Sequence, residues 1–317
     1  MGEISIVRYA DRFQNLHTGK VGDHIRPHKP VMLLTLLTLA ESGRLPENRI
    51  LFGPELIEVF RRYFDIVRKG GDDCTPINPF FYLRSDGFLH HKRHPGQEAI
   101  YGSMKDPGGV GIMSQVIAYA HLDEELFALF AQSASRLILR DSLISRYFPE
   151  HRDSLSALYE TERKVGLYRD LLEEQTEGKA IREEGSAYSE EVRDTAFRRT
   201  VTSAYDYRCA ACGIRVVVMD ATMVDAAHLI PFRISKDDDP RNGIALCKNH
   251  HWAMDRYLIA PGPDGVWHVS RSFDRRIRDH QPVLDLDGQS ILLPRELRFQ
   301  PKEESLAWRM GRLFEDK

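Results

Sequence analysis

The sequence predicts an α+β protein of two domains, of which the first is mainly helical and contains a small hairpin. Apolar residues recur at three- and four-residue spacing in "GPELIEVFRRYFDIV", which is typical of an amphipathic helix. An aromatic-rich stretch at 78–91 is typical of a hairpin. Cysteine and histidine pairs between residues 209 and 250 predict a second domain of mixed structure that is organised around them.

The first domain is expected to span residues 1–155. Its segment "HKPVMLLTLLTLAESGRL" predicts a helix with Pro30 in the first turn and a stop at Ser42-Gly43. The segment "GPELIEVFRRYFDIV" predicts a second helix, and "NPFFYLRSDGFLHH" predicts a hairpin that turns at residues 85–87. Further helices are expected between residues 108 and 149.

A charged helical linker is expected at residues 156–188, because large apolar residues are scarce after Leu172. The second domain is then expected to span residues 189–317. Ser189 is a suitable N-cap for the helix predicted by "EEVRDTAFRRTVTSAY".

The charge balance shows that the chain as a whole is not strongly positive. The formal net charge is −3, and basic and acidic residues are equal in number in residues 1–155 (19 of each) and 189–317 (20 of each). The excess of acids lies in residues 156–188, which hold 5 basic and 8 acidic residues. A nucleic-acid surface must therefore come from local clusters such as "RRIR" at 275–278.

The sequence favours a cytoplasmic protein without a membrane span. Its longest apolar run, "PVMLLTLLTLA", is shorter than the roughly 18–20 residues that a membrane helix requires. The N-terminal stretch "MGEISIVRYADRF" lacks the apolar core of a secretory signal. In that compartment, four cysteines in 317 residues indicate metal binding rather than a disulfide framework.

Two residue pairs have the spacing of zinc ligands. Cys209 and Cys212 lie in "YRCAACGIR", and Cys247 and His250 lie in "LCKNHH". Together they can hold one Zn²⁺ tetrahedrally through three thiolates and one imidazole. Because four protein ligands leave no open position for a substrate, the zinc is expected to be structural. Cys74 stands alone and is expected to be a small, partly buried apolar residue.

His251 follows His250 directly and is turned by roughly 100° if both lie on a helix. Upstream, His228 lies in "VDAAHLIP", where a strand would end, and Asn242 precedes "GIAL". Interleaved with the cysteine and histidine pairs, these residues resemble the HNH nucleases of the ββα-metal fold over about residues 190–270. The resemblance implies a zinc-containing nuclease domain in the C-terminal part of the chain.

The same resemblance implies phosphodiester hydrolysis with one divalent ion, Mg²⁺ or Mn²⁺. His228 would be the general base, and His251 would hold the ion. Asn242 would orient the loop and the ring of His228. Many members of the family have an acidic residue or histidine directly before the base, where this chain has Ala227. Asp225 is either a second metal ligand or a loop carboxylate bonded to a nearby backbone N–H.

Three stretches of the first domain occur in an order similar to that of the sulfur-binding domain of type IV, modification-dependent restriction endonucleases. They are "RPHKPVMLLTLL", "NPFFYLRSDGFLHH" and "LILRDSLISRYFP", within about residues 8–155. In that family the domain reads phosphorothioate DNA, and Pro79 matches the proline of the sulfur cup. Asn78 and Tyr82 stand where the family motif has a tyrosine and a small residue, which leaves sulfur recognition open. The DNA contacts implied by the resemblance are Arg26, His28, Lys29, Asn78, Pro79, Tyr82 and Arg84.

The resulting hypothesis is a modification-dependent restriction endonuclease that acts on double-stranded DNA. Two alternatives stay open within the nucleases, namely a first domain that reads another mark, such as modified cytosine, and one that reads an unmodified sequence. A third alternative is a non-catalytic DNA-binding protein with a zinc-stabilised scaffold. A homodimer is also expected, since double-strand cleavage by one-site domains of this type usually needs two subunits.

Overall fold

The computed structural model describes residues 2–178, 188–218 and 221–313 of the chain. Its packing divides the chain into two compact units, Met1–Gly166 and Leu167–Lys317. Within the described residues, no helix combines the length and apolar character that a membrane crossing would need. The expected linker at 156–188 is helical as far as Thr176, and its residues 179–187 lie outside the described ranges.

The first unit is mainly helical. Its helices are α1 (Gly2–Gln14), α2 (His28–Glu41), α3 (Pro54–Val67), α4 (Ile77–Tyr82), α5 (Glu98–Ser103), α6 (Val110–Val116), α7 (Glu124–Phe130), α8 (Ser133–Tyr147) and the first part of α9 (Arg152–Thr176). Helix α2 lies at the centre, because its residues from Lys29 to Leu39 are all buried. A helix that is apolar on every side is stable only inside a core, which explains this position.

The strands of the first unit form two antiparallel pairs. The short strands β1 (Lys20–Val21) and β2 (His24–Ile25) pair with each other. The longer strands β3 (Leu89–Arg93) and β4 (Ile117–Leu122) pair from Leu89 opposite Leu122, with a bulge between Lys92 and Arg93. The unit is therefore mainly helical with two small β-ribbons, of which only strand β3 overlaps the expected hairpin.

The hairpin expected at residues 78–91 is wrong. Residues 77–82 form helix α4, a 3₁₀ turn follows at Leu83–Asp86, and only the end of the stretch joins strand β3. Pro79 is compatible with this helix, since the N–H groups of the first turn have no partner within the helix. The aromatic run is typical of a strand. Phe80 and Phe81 instead belong to a helix and their side chains are buried in the core, so tertiary packing outweighs their strand propensity.

The second unit combines short strands with helices. In chain order its further elements are α10 (Glu190–Ala204), β5 (Val217–Val218), β6 (Ala221–Thr222), β7 (Val224–His228), α11 (Phe232–Ser235), β8 (Gly243–Cys247), α12 (Lys248–Asp255), β9 (Ile259–Pro261), β10 (Trp267–Val269), α13 (Gln281–Leu284) and α14 (Glu303–Met310). Ser189 caps α10 as expected, because its side chain accepts a hydrogen bond from Val192 N.

Three elements of this unit position the candidate site. Strands β7 and β8 pair in antiparallel register from Val224 opposite Cys247 to His228 opposite Gly243. Strand β8 runs directly into helix α12, for which Cys247 is the N-cap residue. This strand–strand–helix arrangement places His228 at the end of one strand and both candidate histidines of "KNHH" in the first turn of the helix.

Candidate active site and metal site

Cys209, Cys212, Cys247 and His250 form one cluster. One ligand atom of each residue lies within 4.8 Å of the others, and no other such cluster of three or more candidate ligands occurs in the part of the chain that the structure describes. Nδ1 of His250 is 3.1 Å from Sγ of Cys247 and 3.5 Å from Sγ of Cys209. Three sulfur donors and one imidazole at these separations suit a tetrahedral metal ion.

Backbone hydrogen bonds bring the two halves of the cluster together. Gly213, at φ +70°, completes the turn in which its N–H bonds Cys209 O at 2.9 Å. Ala210 N bonds Ala245 O of strand β8 at 2.8 Å, so the cysteine turn is fixed to the strand that ends at Cys247. A left-handed residue is required in this turn, and glycine adopts that conformation without steric cost.

The two buried cysteines also interact with each other through their side chains. Their mutual hydrogen bond lowers the pKa of Cys209 and raises the pKa of Cys247 to about 11. A divalent ion bound by both sulfurs would replace the proton of that hydrogen bond, since thiols bind metals as thiolates. The donor set therefore fits a metal ion.

His228 and His251 line a different site, a cavity of about 480 Å³ in the second unit. The cavity also contains Asp225, so the structure brings these three sequence-predicted residues together. Adjacent residues of α12 therefore serve two sites, with His250 at the cysteines and His251 at the cavity. The remaining lining residues are Asp194, Phe197, Arg198, Ala226, Pro231, Phe232 and Asp255.

The ring of His228 is fixed by contacts on several sides. It stacks on Phe197 with ring centroids 3.8 Å apart and an interplanar angle of 5°. Its Nε2 lies 3.2 Å from Oδ1 of Asp238. Its backbone carbonyl accepts a 2.8 Å hydrogen bond from Nη2 of Arg309. The same guanidinium donates from Nε to Leu229 O and from Nη1 to Met254 O.

Sequence reasoning missed Asp238. The segment "KDDDPR" at 236–241 reads as a solvated loop, yet Asp238 and Asp239 are only 5% and 0% exposed. Distant segments supply Arg193 and Tyr168 to Asp238 and Lys302 to Asp239, although Asp239 also pairs with nearby Arg241. No local sequence pattern predicts a pair between residues far apart in the chain, because the two partners meet only after folding.

Asn242 braces the chain after His228 but does not contact its ring. The buried amide accepts a hydrogen bond from Ile230 N at 2.9 Å and donates to Ile230 O at 2.9 Å and Asp237 O at 3.2 Å. These hydrogen bonds connect Asn242 to the turn that follows His228. The side chain that meets a ring nitrogen of His228 is that of Asp238, and a role of Asn242 in orienting the imidazole stays a prediction.

Acidic groups surround His251 in the cavity. Nε2 of His251 is 3.6 Å from Oδ2 of Asp255, and burial raises the pKa of Asp194, with neighbouring carboxylates raising it further. Asp225 forms an ion pair with Lys248. It lies opposite Leu246 in the regular pairing of strands β7 and β8. Carboxylates beside an imidazole make this cavity suitable for a divalent cation.

The first unit has a cavity of about 530 Å³ lined by most of the predicted DNA contacts. The predicted residues that line it are Arg26, His28, Lys29, Asn78, Pro79 and Tyr82. Arg84, the remaining predicted DNA contact, does not line this cavity. Its guanidinium lies 3.9 Å above the ring of Phe81 and donates to Met104 O at 2.9 Å.

The basic groups of this cavity are largely neutralised. Lys29 Nζ is 2.6 Å from Oδ2 of Asp86, and Arg26 Nη1 is 3.3 Å from Oδ1 of Asp72. His28 bonds the carbonyl of Asp73 at 2.8 Å, and burial lowers its pKa. The cavity therefore presents polar groups with balanced charge rather than a strong positive field.

Comparison with known proteins bears on the second unit. Residues 209–260 match the family described as HNH endonuclease. No curated protein matches the sequence. A solved structure titled "Modification dependent TagI restriction endonuclease" is similar at 19% identity and a TM-score of 0.31, over 42% of this chain and 44% of that chain. The similarity thus spans less than half of that chain. The segment that holds the cysteine cluster, His228, Asn242 and His251 is therefore an HNH endonuclease domain.

Proposed function

We propose that the protein is a metal-dependent DNA endonuclease whose reaction centre is the cavity of His228 and His251. The observation that carries the proposal is the convergence of both histidines, from β7 and α12, on one cavity within the HNH match. An imidazole can accept a proton from water near neutral pH, which suits His228 as the general base. The neighbouring Phe197 and Arg309 hold its ring and its backbone in place.

His251, with Asp255 or Asp225, would hold the divalent ion. The 3.6 Å separation of the His251 and Asp255 ligand atoms and the acidic lining fit such an ion. When bound, Mg²⁺ or Mn²⁺ supplies positive charge that stabilises the phosphate and the leaving oxygen. The chain itself orients the base and presents the carboxylates.

The cysteine cluster would hold a structural zinc ion. Cys209 and Cys247 are buried, so the ion would lie against the protein core beside the first turn of α12. It would thereby fix the helix that carries His251. The distinction between a structural and a catalytic metal follows from the ligands, since four protein ligands leave no position for substrate.

The first unit would read modified DNA through its 530 Å³ cavity. The proposal is supported by the meeting of six predicted contact residues there, of which Tyr82 is 38% exposed and offers a ring for stacking. The cavity is much larger than one sulfur atom, and Asn78 adds a polar amide to its wall. A modified base is therefore the second candidate mark beside the phosphorothioate.

The test uses the purified full-length chain and plasmids that differ only in modification. Cleavage is measured on unmodified, phosphorothioate and 5-methylcytosine DNA, with Mg²⁺ or Mn²⁺ and with chelator. The proposal expects metal-dependent cleavage of one modified plasmid and little cleavage of the unmodified one. Equal cleavage of all three would refute modification dependence, and no cleavage with either metal would refute the nuclease.

A further inference from the structure

We infer that Asp238 is a positioning residue that fixes the tautomer of His228, so that Nδ1 is the nitrogen that takes the proton from water. The catalytic meaning of this inference rests on the proposed function. The contact itself does not, because it is a property of the folded chain.

The tautomer follows from the chemistry of the contact. Nε2 of His228 lies 3.2 Å from Oδ1 of Asp238, and the side chains are 21% and 3% exposed. An ionised carboxylate can only accept hydrogen bonds. In the neutral imidazole Nε2 must therefore carry the proton, and the lone pair is left on Nδ1. His228 also lines the cavity, so in this tautomer Nδ1 is the ring nitrogen left to accept a proton from water.

Asp238 is itself held in place from two other elements. Its Oδ2 accepts a 3.1 Å hydrogen bond from the hydroxyl of Tyr168 on α9 and a 3.4 Å one from Nη1 of Arg193 on α10. Burial raises the pKa of Tyr168, and the carboxylate raises it further, so the phenol remains a donor. Arg193 supplies the positive charge that a buried carboxylate requires.

The ring of His228 is prevented from turning away from Asp238. Phe197 covers one face at a centroid distance of 3.8 Å. Phe197 can approach because residue 243 is glycine, since a Cβ there would lie 2.8 Å from Phe197 Cζ and 2.6 Å from Val201 Cγ2. The stacked ring and the carboxylate together define one orientation and one tautomer.

The consequence for the reaction is a balanced proton transfer. An O–H bond of water breaks and an N–H bond forms at Nδ1 of His228. The water oxygen forms the new bond to phosphorus. The bond from phosphorus to the leaving oxygen breaks, its electron pair stays on that oxygen, and solvent then protonates the oxygen. Asp238 stabilises the resulting imidazolium through Nε2–H, as the buried carboxylate does in serine protease triads.

The test compares Asp238→Asn with Asp237→Asn in the full-length chain. Asparagine at 238 keeps the volume and an acceptor for Tyr168, but its amide can face Nε2 as a donor and favour the other tautomer. The control removes the same charge one residue earlier, where Asp237 meets Lys302 at 3.2 Å and not His228. We expect Asp238→Asn to lower kcat by about 10–100-fold or more, with KM within about threefold. Asp237→Asn should stay within about twofold of wild type.

The tautomer is read independently from the ¹⁵N resonances of the His228 ring. Wild type and Asp237→Asn should show a protonated Nε2 and a bare Nδ1, and Asp238→Asn should lose this preference. A protonated Nδ1 in the neutral wild-type ring would overturn the inference, as would cleavage by Asp238→Asn within about threefold of wild type. If the wild-type chain does not cleave DNA, the proposed function fails, while the ¹⁵N spectrum still decides the contact.

Discussion

Two neighbouring histidines show how much a single residue position decides in this protein. His250 and His251 are adjacent in α12, and a helix turns adjacent side chains by roughly 100°. His250 consequently meets the cysteines, and His251 meets the cavity. The sequence predicts this split because ligand spacing and helix geometry are local. It does not reveal Asp238, whose partners Arg193 and Tyr168 are separated from it by 45 and 70 positions.

Gly243 is expected to be required for activity although it contacts no substrate. In Gly243→Ala the new methyl group would meet Phe197 and Val201 at less than 3 Å, so these side chains must shift and the stacking of Phe197 on the ring of His228 is expected to change. We expect a loss of about 1–3 kcal/mol in unfolding free energy from overpacking, together with slower DNA cleavage. Urea unfolding and plasmid cleavage measure the two effects. Gly111→Ala, where nothing lies within 4 Å, is the control, and equal behaviour of both variants would contradict the account.

His91 is expected to make the first unit sensitive to acid. Burial lowers its pKa from 6.5 to about 4, and its ring nitrogens meet Phe80 O at 3.1 Å and the Tyr101 hydroxyl at 3.0 Å. Below pH 6.5 the unfolded chain binds a proton that the folded chain excludes, so stability falls as the pH drops from 6.5 towards 4. Urea unfolding followed by circular dichroism should show this slope in wild type. A slope unchanged in His91→Gln would contradict the assignment to His91.

At the scale of elements, periodicity predicts the long helices and fails for the short one. Helices α2 and α3 match the expected segments because each has its own apolar pattern and a proline near its start. The stretch 77–82 is too short to show a period, and its aromatic residues are compatible with a strand. Packing against the core determines that this stretch is a helix. Six residues of sequence do not show how the stretch packs, so the helix could not be predicted.

The cysteine cluster is expected to stabilise the second unit as an element of its fold. Cys209→Ser should abolish metal binding and unfold this unit, because in small metal sites the binding energy is folding energy. All three tryptophans lie after residue 250, and buried Trp267 donates to Ala210 O beside the cluster at 3.3 Å. Intrinsic fluorescence should therefore shift to the red on mutation. Elemental analysis should find one zinc per chain in wild type and in the control Cys74→Ser, and folded wild type without metal would contradict the prediction.

At the scale of the whole molecule, composition predicts charge balance but not the boundary between units. The expected linker begins at residue 156, whereas the compact units divide at Gly166 within α9. Leu158, Val165 and Leu172 of that helix are buried, and so are its charged residues Glu162 and Arg169, so a charged composition does not make this segment a solvated linker. Composition averages over both faces of a helix and cannot separate them.

The balanced charge leads to a prediction about DNA binding by the first unit. Since Lys29 and Arg26 are paired with acids, non-specific attraction should be weak and discrimination should come from the cavity. Tyr82→Ala in the full chain should weaken binding to the preferred modified duplex by about 1–3 kcal/mol, as for the loss of one stacked base. Tyr82→Phe keeps the ring and should bind like wild type. If the wild-type chain binds modified and unmodified duplexes with equal affinity at physiological salt, the first unit does not recognise modified DNA.

We expect DNA hydrolysis to take place in the cavity that contains His228. The most direct measurement is the plasmid cleavage rate of His228→Ala beside His268→Ala, whose histidine pairs with Asp264 at 3.0 Å and does not line the cavity. We expect His228→Ala to lose about 10²–10⁴-fold in rate while keeping its fluorescence and metal content. His268→Ala should cleave like wild type. Cleavage by folded His228→Ala within about threefold of wild type would contradict the account.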